Sequence, residues 1–287
     1  MTLEEAIAKI KPLDHNAMEI AQKRWDSIAK PLHSLGKLET LLIQIAGITG
    51  NAEVDLSRRG LIAMCADNGV VEEGVTQTGQ EVTAIVAENF LKYDTSVGVM
   101  CKQNHAEIFP VDMGMVTDTK VRTDHKIAYG TQNMTKGPAM TREQAVKGLE
   151  AGIDMVRELN DKGYRILATG EMGIGNTTTS SAVASVLLKQ PVEEMTGRGA
   201  GLTSEGLVRK INAIKKAITL NKPDPEDAID VLAKVGGLDI AGMAGVFLGG
   251  AVYGIPVVMD GFISCVSALI AMRICPTARD YILASHV

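Results

Sequence analysis

Aromatic residues are scarce in this sequence of 287 residues: Phe, Trp and Tyr make up 3% of the chain, although 46% of the residues are hydrophobic. The core must therefore consist mainly of Ala, Val, Ile, Leu and Met. No aromatic platform for stacking nucleic-acid bases and no run of basic residues is present, and the net charge is −5. These features argue against a nucleic-acid partner and against binding to anionic membranes.

Metal-binding and disulfide patterns are also missing. The four cysteines form no CxxC pair, and the five histidines show no HxH or HExxH spacing. We therefore predict reduced, mostly buried cysteines and no protein-held zinc site. Glu4 and Glu5 stand where a signal peptide would carry basic residues, which favours a cytoplasmic protein.

One segment, residues 240–259, contains no charged residue and approaches the length of a membrane span. Five glycines and a proline interrupt it, and acidic residues flank it without a Lys or Arg anchor. This composition favours a buried helix over residues 238–252 and a buried strand over residues 255–259. The sequence therefore predicts no membrane span.

Apolar runs alternate with helical periodicity along most of the chain. Strands are predicted over residues 60–66, 106–111, 164–168 and 255–259, and helices over 38–48, 80–93, 141–161, 180–189, 204–220, 238–252 and 264–272. This alternation predicts an α/β fold with a mostly parallel, Rossmann-like sheet wrapped by helices. The N-terminal helices lie outside it, so we expect a small helical layer, residues 1–50, and an α/β domain, residues 51–287.

Two further segments lie between these elements. Asp224 and Pro225 are expected to start one more helix as its N-cap and first residue. The polar segment 117–140 has no strong periodicity and is interpreted as a surface loop or, alternatively, a lid or partner-contacting excursion.

The most informative segment is GEMGIGNTTTSS, residues 170–181, between a predicted strand and a predicted helix. Its glycines and hydroxyl residues can direct backbone N–H groups toward an anion, and a helix start favours phosphate. Glu171 would not help to hold phosphate, so we expect it to face the reacting end of a substrate. A second glycine-rich loop, residues 196–202, precedes Arg209 and Lys210 and suits further phosphate contacts, although such a stretch alone is commonly a plain turn.

Polar loops also follow the other predicted strands, at Asp67-Asn68-Gly69 and at Asp260-Gly261. Ligands of parallel sheets bind beyond the carboxyl ends of the strands, so these loops predict one pocket with several carboxylates and hydroxyls. The glycine patterns match neither the Walker A motif, which needs GK[ST], nor the GxGxxG dinucleotide fingerprint.

Several motifs, in order along nearly the whole chain, resemble the nicotinate-nucleotide–dimethylbenzimidazole phosphoribosyltransferase family of cobalamin biosynthesis. They are Lys30-Pro31 with residues 34–39, and residues 66–70, 73–75, 80–83, 170–178, 196–202, 236–241 and 260–262. The resemblance implies transfer of the phosphoribosyl group of nicotinate mononucleotide to 5,6-dimethylbenzimidazole or a related base, with inversion at the anomeric carbon. The products would be α-ribazole 5′-phosphate and nicotinate, made by a homodimer without metal or cofactor.

The resemblance also implies roles by position. Glu171 would be the catalytic carboxylate, close to the acceptor ring, where it orients the N–H or stabilises positive charge. Phosphate contacts are implied for Asn176, Thr177, Thr178, Gly199, Gly201 and Lys210. The acceptor-base pocket would include Gln80, Met172 and Gly173, and the ribose and nicotinate site Asp260, Gly261 and Ser264. Capping of the following helix is the alternative role of Asn176 and Thr177.

The sequence departs from the family pattern at three places. Asn68 stands where the family has His, and Thr78-Gly79 replaces an aromatic residue and a proline, so another benzimidazole, a purine or a phenol is an alternative acceptor. The family continues beyond the position of Val287 into a GEGTGA-like motif whose Glu is the general base. We therefore expect a truncated enzyme that binds nucleotide and turns over slowly, or one in which Glu171 serves as the base. A non-catalytic nucleotide-binding protein and a sugar-phosphate isomerase are the rival hypotheses.

Overall fold

A computed structural model describes residues 1–286 of the chain as five parallel strands surrounded by helices. The sheet order is β2-β1-β3-β4-β5, with strands at β1 Arg59–Ala66, β2 Ala106–Gly114, β3 Ile166–Met172, β4 Val257–Met259 and β5 Ile282–Ala284. All four strand pairs are parallel, which confirms the α/β prediction. The order reverses between β1 and β3, and a crevice at the carboxyl ends of these strands is the expected ligand site.

Helices cover both faces of this sheet. They are α1 Leu3–Ile7, α2 His15–Ser27, α3 Lys37–Thr49, α4 Glu81–Lys92, α5 Ser96–Gln103, α6 Arg142–Asp161, α7 Asn176–Leu187, α8 Val192–Met195, α9 Ser204–Asn221, α10 Ala228–Val235, α11 Leu238–Tyr253 and α12 Gly261–Ile274. The larger core includes α6 and α11, and a smaller core lies between the sheet and α4 and α5. Within residues 1–286, no helix has both the length and the apolar character needed to cross a bilayer.

The uncharged segment forms the buried helix α11 and the strand β4, as its interruptions predict. The glycines of α11 let it touch α6 backbone to backbone. A Cβ atom at Gly245 would lie 2.0 Å from the Leu149 carbonyl oxygen, and one at Gly152 would lie 2.1 Å from that of Gly242. These glycines therefore allow the close contact between α6 and α11 inside the chain.

The glycine-rich segment is a shorter loop than the sequence predicts. Strand β3 continues through Met172, because Gly170 and Glu171 still pair with β1, and α7 begins at Asn176 instead of residue 180. Only residues 173–175 connect the two elements. The hydroxyl residues extend the helix, since the Ser181 hydroxyl donates to the Thr177 carbonyl oxygen at 2.8 Å and is satisfied within it.

A second helix boundary also differs from the prediction. Helix α10 begins at Ala228 and is capped by Asp227, whose carboxylate accepts the N–H groups of Ile229 and Asp230 at 3.0 and 3.1 Å. Asp224 instead accepts the Glu226 N–H at 3.0 Å in the preceding turn. The prediction chose the wrong one of two nearby aspartates, because either side chain can cap a helix.

The N-terminal helices pack onto the rest of the chain. The Leu3 N–H at the start of α1 donates to the Glu150 carboxylate of α6 at 3.0 Å. The division into layers at residue 50 stays a prediction. Segment 117–140 contains no helix, but Val121, Met134 and Met140 are buried, so it packs against the body of the domain instead of forming an exposed lid.

Candidate active site

A cavity of about 640 Å³ runs along the sheet from the first residues of β1 and β3, Arg59 and Ile166, to the carboxyl ends of β3 and β4. Its polar lining includes five residues selected from the sequence: Glu171, Thr177, Asp260, Gly261 and Ser264. Its apolar lining extends along the sheet to Leu61, Ala63 and Phe90. The structure therefore brings the predicted catalytic residue together with the predicted ribose and nicotinate residues.

Glu171 belongs to a carboxylate–amide–carboxylate arrangement. The Asn176 side-chain nitrogen lies 2.5 Å from Glu171 Oε2 and 2.9 Å from Asp239 Oδ2. Glu171 is half-buried at the cavity wall, whereas Asp239, in the first turn of α11, is fully buried. Sequence reasoning did not select Asp239. The available signal was a single carboxylate directly before an uncharged segment of the chain.

Burial weakens the acidity of both carboxyl groups. It raises the pKa of Asp239 to about 7; the Asn176 hydrogen bond opposes this shift and the nearby Glu171 charge adds to it. Burial also raises the pKa of Glu171, and the Asn176 hydrogen bond again opposes the shift. Two neighbouring carboxyl groups in such surroundings titrate as a pair, and one proton is held near neutral pH.

Lys210 forms a buried cationic centre against Thr177, the residue that follows Asn176. Its side chain is 1% exposed, and its Nζ donates to Thr177 Oγ1 at 2.8 Å and to the Gly197 carbonyl oxygen at 3.1 Å. Burial lowers the pKa of Lys210 to about 8. A buried ammonium group held by neutral oxygens is unfavourable on its own, so this centre is suited to an incoming anion.

The second glycine loop closes over Lys210. Gly199 and Gly201 have φ angles of +59° and +103°, which side-chain-bearing residues rarely adopt. A Cβ atom at Gly199 would lie 2.9 Å from Thr177 Oγ1 and 3.5 Å from Lys210 Nζ. The Gln77 side chain, which sequence reasoning missed, donates to the Gly201 carbonyl oxygen. The loop thus keeps its backbone close to the cation.

The first turn of α7 carries the remaining predicted phosphate ligands. Gly175 is the N-cap, with φ +95°, and no side chain caps the helix. The capping alternative for Asn176 and Thr177 is therefore wrong, because both lie inside the helix. Thr178 is fully buried, and its hydroxyl has no hydrogen-bond partner among residues 1–286.

The predicted acceptor-base residues lie at the same edge but do not line the cavity. Gln80 precedes α4, and its side chain donates to the Asn68 carbonyl oxygen at 3.2 Å. Met172 packs against the smaller core. Gly173 is buried where a Cβ atom would lie 2.5 Å from Asp239 Oδ2, so a side chain at this position would collide with that carboxylate.

Asn68 supports the loop after β3. Its side-chain nitrogen donates to the Ile174 carbonyl oxygen at 3.5 Å, and its side-chain oxygen accepts from Thr179 at 3.4 Å. The side chain is fully buried. An amide makes both hydrogen bonds without titrating, so Asn68 holds the loop after β3 in place.

The third loop carries the ribose and nicotinate candidates. The buried Ser264 hydroxyl lies 2.6 Å from that of Thr169 in β3. Asp260 is exposed and accepts the Ser285 hydroxyl at 2.6 Å. Thr169 and Ser285 also line the cavity, although sequence reasoning selected neither.

One cluster within residues 1–286 has the composition of a metal site: Asp124, His125 and Glu158. The Arg122 guanidinium already pairs with both carboxylates, at 2.5 Å from Asp124 and 2.6 Å from Glu158. An arginine in that position competes with a cation for the same oxygens, so the cluster is an ion-pair network.

Comparisons with known proteins give a consistent answer. A family model described as phosphoribosyltransferase matches residues 10–287. Two proteins named nicotinate-nucleotide–dimethylbenzimidazole phosphoribosyltransferase, from Ruminiclostridium cellulolyticum and Clostridium acetobutylicum, are 54% and 51% identical over the whole chain, which covers 82% of each. The crystal structure of CobT from Thermus thermophilus is similar with a TM-score of 0.89 and 36% identity, covering 94% of this chain and 82% of that one. This chain therefore belongs to the nicotinate-nucleotide–dimethylbenzimidazole phosphoribosyltransferase family.

Proposed function

We propose that this chain transfers the phosphoribosyl group of nicotinate mononucleotide to 5,6-dimethylbenzimidazole or a related base. The products are α-ribazole 5′-phosphate and nicotinate. The observation that carries the proposal is that Glu171 and Thr177 line one cavity and that the buried Lys210 donates to Thr177, in a chain about half identical to enzymes of this name. Nothing in the comparisons favours a non-catalytic binding protein.

The 5′-phosphate is assigned to Lys210 and Thr177, with the glycine loop at Gly199 and Gly201. Among residues 1–286, Lys210 has no charged partner that would have to leave when phosphate arrives, and a phosphate oxygen can take over the contact with its Nζ. A charge-assisted hydrogen bond in a buried site is shorter and stronger than one between neutral groups. Asn176 and Thr178 belong to the same helix start, which favours negative charge. Of these two side chains, the Thr178 hydroxyl has no partner among residues 1–286, whereas the Asn176 side-chain amide already donates to Glu171 and Asp239.

Glu171 is assigned to the acceptor base. The bond between the anomeric carbon and the nicotinate nitrogen breaks, and a ring nitrogen of the acceptor forms the new bond from the opposite face. The acceptor then carries a positive charge until its N–H proton leaves. A carboxylate at the cavity wall can orient that N–H, stabilise the charge and take the proton.

The remaining contacts follow the same assignment. Gln80, Met172 and Gly173 are proposed to shape the acceptor site, and Asp260, Gly261 and Ser264 to contact ribose and nicotinate. Support for the second group comes from their position on the cavity wall that also contains Glu171.

The test is release of nicotinate from nicotinate mononucleotide with and without dimethylbenzimidazole, followed by chromatography. We expect release that depends on the base and equals the α-ribazole 5′-phosphate formed. Binding of the nucleotide without release would contradict the transferase and support a binding protein. Release without any base would indicate hydrolysis.

We further propose a cytoplasmic homodimer. The four cysteines are unpaired and three of them are buried, as is common in reducing compartments. Exposed apolar side chains cluster in residues 20–38, at Ile20, Ile28, Leu32, Leu35 and Leu38. Such a group marks a candidate contact surface. Light scattering coupled to gel filtration should give twice the chain mass, and a single chain mass would contradict the dimer.

A further inference from the structure

We propose that Asp239 is a positioning residue of the reaction: through the Asn176 amide it holds the Glu171 carboxylate at the cavity wall, and it carries the proton that the two carboxyl groups share. This inference rests on the proposed function, because it assigns Asp239 to the same reaction. It is carried by one amide group that donates to two carboxylates, at 2.5 and 2.9 Å.

Asp239 is not accessible to solvent. Its side chain is fully buried between Gly173 and Gly237, where a Cβ atom on either glycine would lie 2.5 Å from a carboxylate oxygen. Both close approaches need glycine, so two backbone positions accommodate this carboxylate. Asn176 is the side chain that links it to the cavity wall.

Among residues 1–286, no Lys, Arg or His forms an ion pair with Glu171 or Asp239, and each of the two carboxyl groups has the Asn176 amide as its side-chain hydrogen-bond partner. Helix α6 meets α11 through Gly148, Leu149 and Gly152, which carry no charge. The nearest titratable groups of the strands are Cys65 within β1, Asp67 after it and Asp112 of β2. Lys210 is held by Thr177, and Asp112 lies 3.2 Å from Lys126. The two carboxyl groups therefore repel each other when both are ionised, and sharing one proton removes this repulsion.

The position of that proton follows from exposure. Glu171 reaches the cavity and can be solvated there, whereas Asp239 cannot. The proton therefore resides on Asp239, and Glu171 is the charged member that meets the acceptor base. Asn176 keeps its two N–H groups toward the two carboxyls, which fixes the direction of the Glu171 side chain.

The first test compares Asp239→Asn and Asp239→Ala with Asp112→Asn, which changes another buried carboxyl that contacts neither Asn176 nor Glu171. Asp239→Ala frees the Asn176 amide, and we expect kcat to fall about 100-fold with little change in KM, because the carboxylate is misplaced. Asp239→Asn can still accept the Asn176 hydrogen bond and should lose less. The wild-type pH profile of kcat/KM should contain an inflection near pH 7 that Asp239→Asn lacks and Asp112→Asn retains.

Infrared spectroscopy tests the shared proton without any turnover. The wild-type chain should show a protonated carboxyl band that disappears as the pH rises through about 7, and the band should be missing in Asp239→Asn but present in Asp112→Asn. Persistence of band and inflection in Asp239→Asn, or kcat of Asp239→Ala within twofold of wild type, would overturn the inference. If wild type releases no nicotinate, the proposed function fails, while the infrared titration still decides on the pair.

Discussion

Helices α7 and α11, whose first turns carry Asn176 and Asp239, begin differently from helices α6 and α9. Helices α6 and α9 start at Thr141 and Thr203, whose hydroxyls accept helical N–H groups at 3.2 and 3.1 Å. Helices α7 and α11 start at Gly175 and Gly237, and no side chain caps either one. A threonine cap contributes about 1 kcal/mol to stability, so α7 and α11 each lack a stabilising contact that α6 and α9 have.

This difference shows how a candidate site departs from the rules that stabilise ordinary helix starts. The first turns of α7 and α11 bury Asn176 and Asp239, and Lys210 is buried against Thr177 of the α7 turn, with neutral partners. The buried Thr178 hydroxyl of the same turn has no hydrogen-bond partner among residues 1–286. Under the proposed function, such groups are available to a substrate that carries a phosphate.

The largest effect is expected from the carboxylate at the edge. Glu171→Gln keeps an oxygen for the Asn176 amide but removes the charge and the proton acceptor, so kcat should fall by about 100- to 10,000-fold. Glu143→Gln, in the first turn of the capped helix α6, is the control and should leave kcat unchanged. Initial rates of nicotinate release measure both variants. More than a tenth of wild-type kcat in Glu171→Gln would contradict the assignment.

The buried cation should give the next largest effect. Lys210→Met removes the phosphate contact, and kcat/KM for nicotinate mononucleotide should fall roughly 100-fold, or by about 3 kcal/mol, mainly through KM. The variant should nevertheless be at least as stable as wild type, because an unfavourable buried ammonium is gone. Lys216→Met changes an exposed lysine on the same helix and serves as the control. Unchanged KM in Lys210→Met would refute the phosphate site.

The stability of that variant should also depend on pH. Between about pH 8 and 10.5 the unfolded chain keeps the Lys210 proton and the folded chain does not, so wild-type stability gains as pH rises. The advantage of Lys210→Met in urea unfolding is therefore greatest below pH 8 and declines toward pH 10.5. An advantage that does not vary with pH would show that the charge of Lys210 is not its cause.

A smaller effect is expected at the capped helix. Thr141→Ala removes the cap of α6, and the free energy of unfolding should fall by about 1 kcal/mol while kcat/KM stays at the wild-type value. Thr141→Ser retains a hydroxyl and should restore most of the loss. Urea titration and initial rates together provide the measurement. A clear fall in kcat/KM of Thr141→Ala would place the start of α6 in the site and contradict the contrast between α6 and the helices α7 and α11.

The smallest effect concerns the choice of acceptor. Helix α4 also begins at the edge without a side-chain cap, at Gln80, and Thr78-Gly79 precedes it. We expect another benzimidazole, a purine or a phenol to be used within about tenfold of dimethylbenzimidazole, since small differences in an apolar site change rates only modestly. Competition assays with equal amounts of two bases measure this ratio. Exclusive use of dimethylbenzimidazole would contradict it.

Local patterns were sufficient for much of the fold. The apolar run at β1, the capping box at Thr141 and the uncharged segment at α11 each identify an element from its own residues. The predicted ends of elements were wrong where contacts with residues outside the segment set the boundary. Pairing with β1 carries β3 on to Met172, and the choice between Asp224 and Asp227 depends on how the turn before α10 folds.

The sequence by itself determined the parallel α/β class, the glycine-rich loops at strand ends and the selection of Glu171 and Lys210, because periodicity and residue chemistry are local properties. Only the tertiary structure decided that Asn176 links Glu171 to Asp239 and that Lys210 lies against Thr177. These contacts join residues from separate helices and a strand. Their distances follow from how α7, α9 and α11 pack at the sheet edge, which no single stretch of sequence encodes.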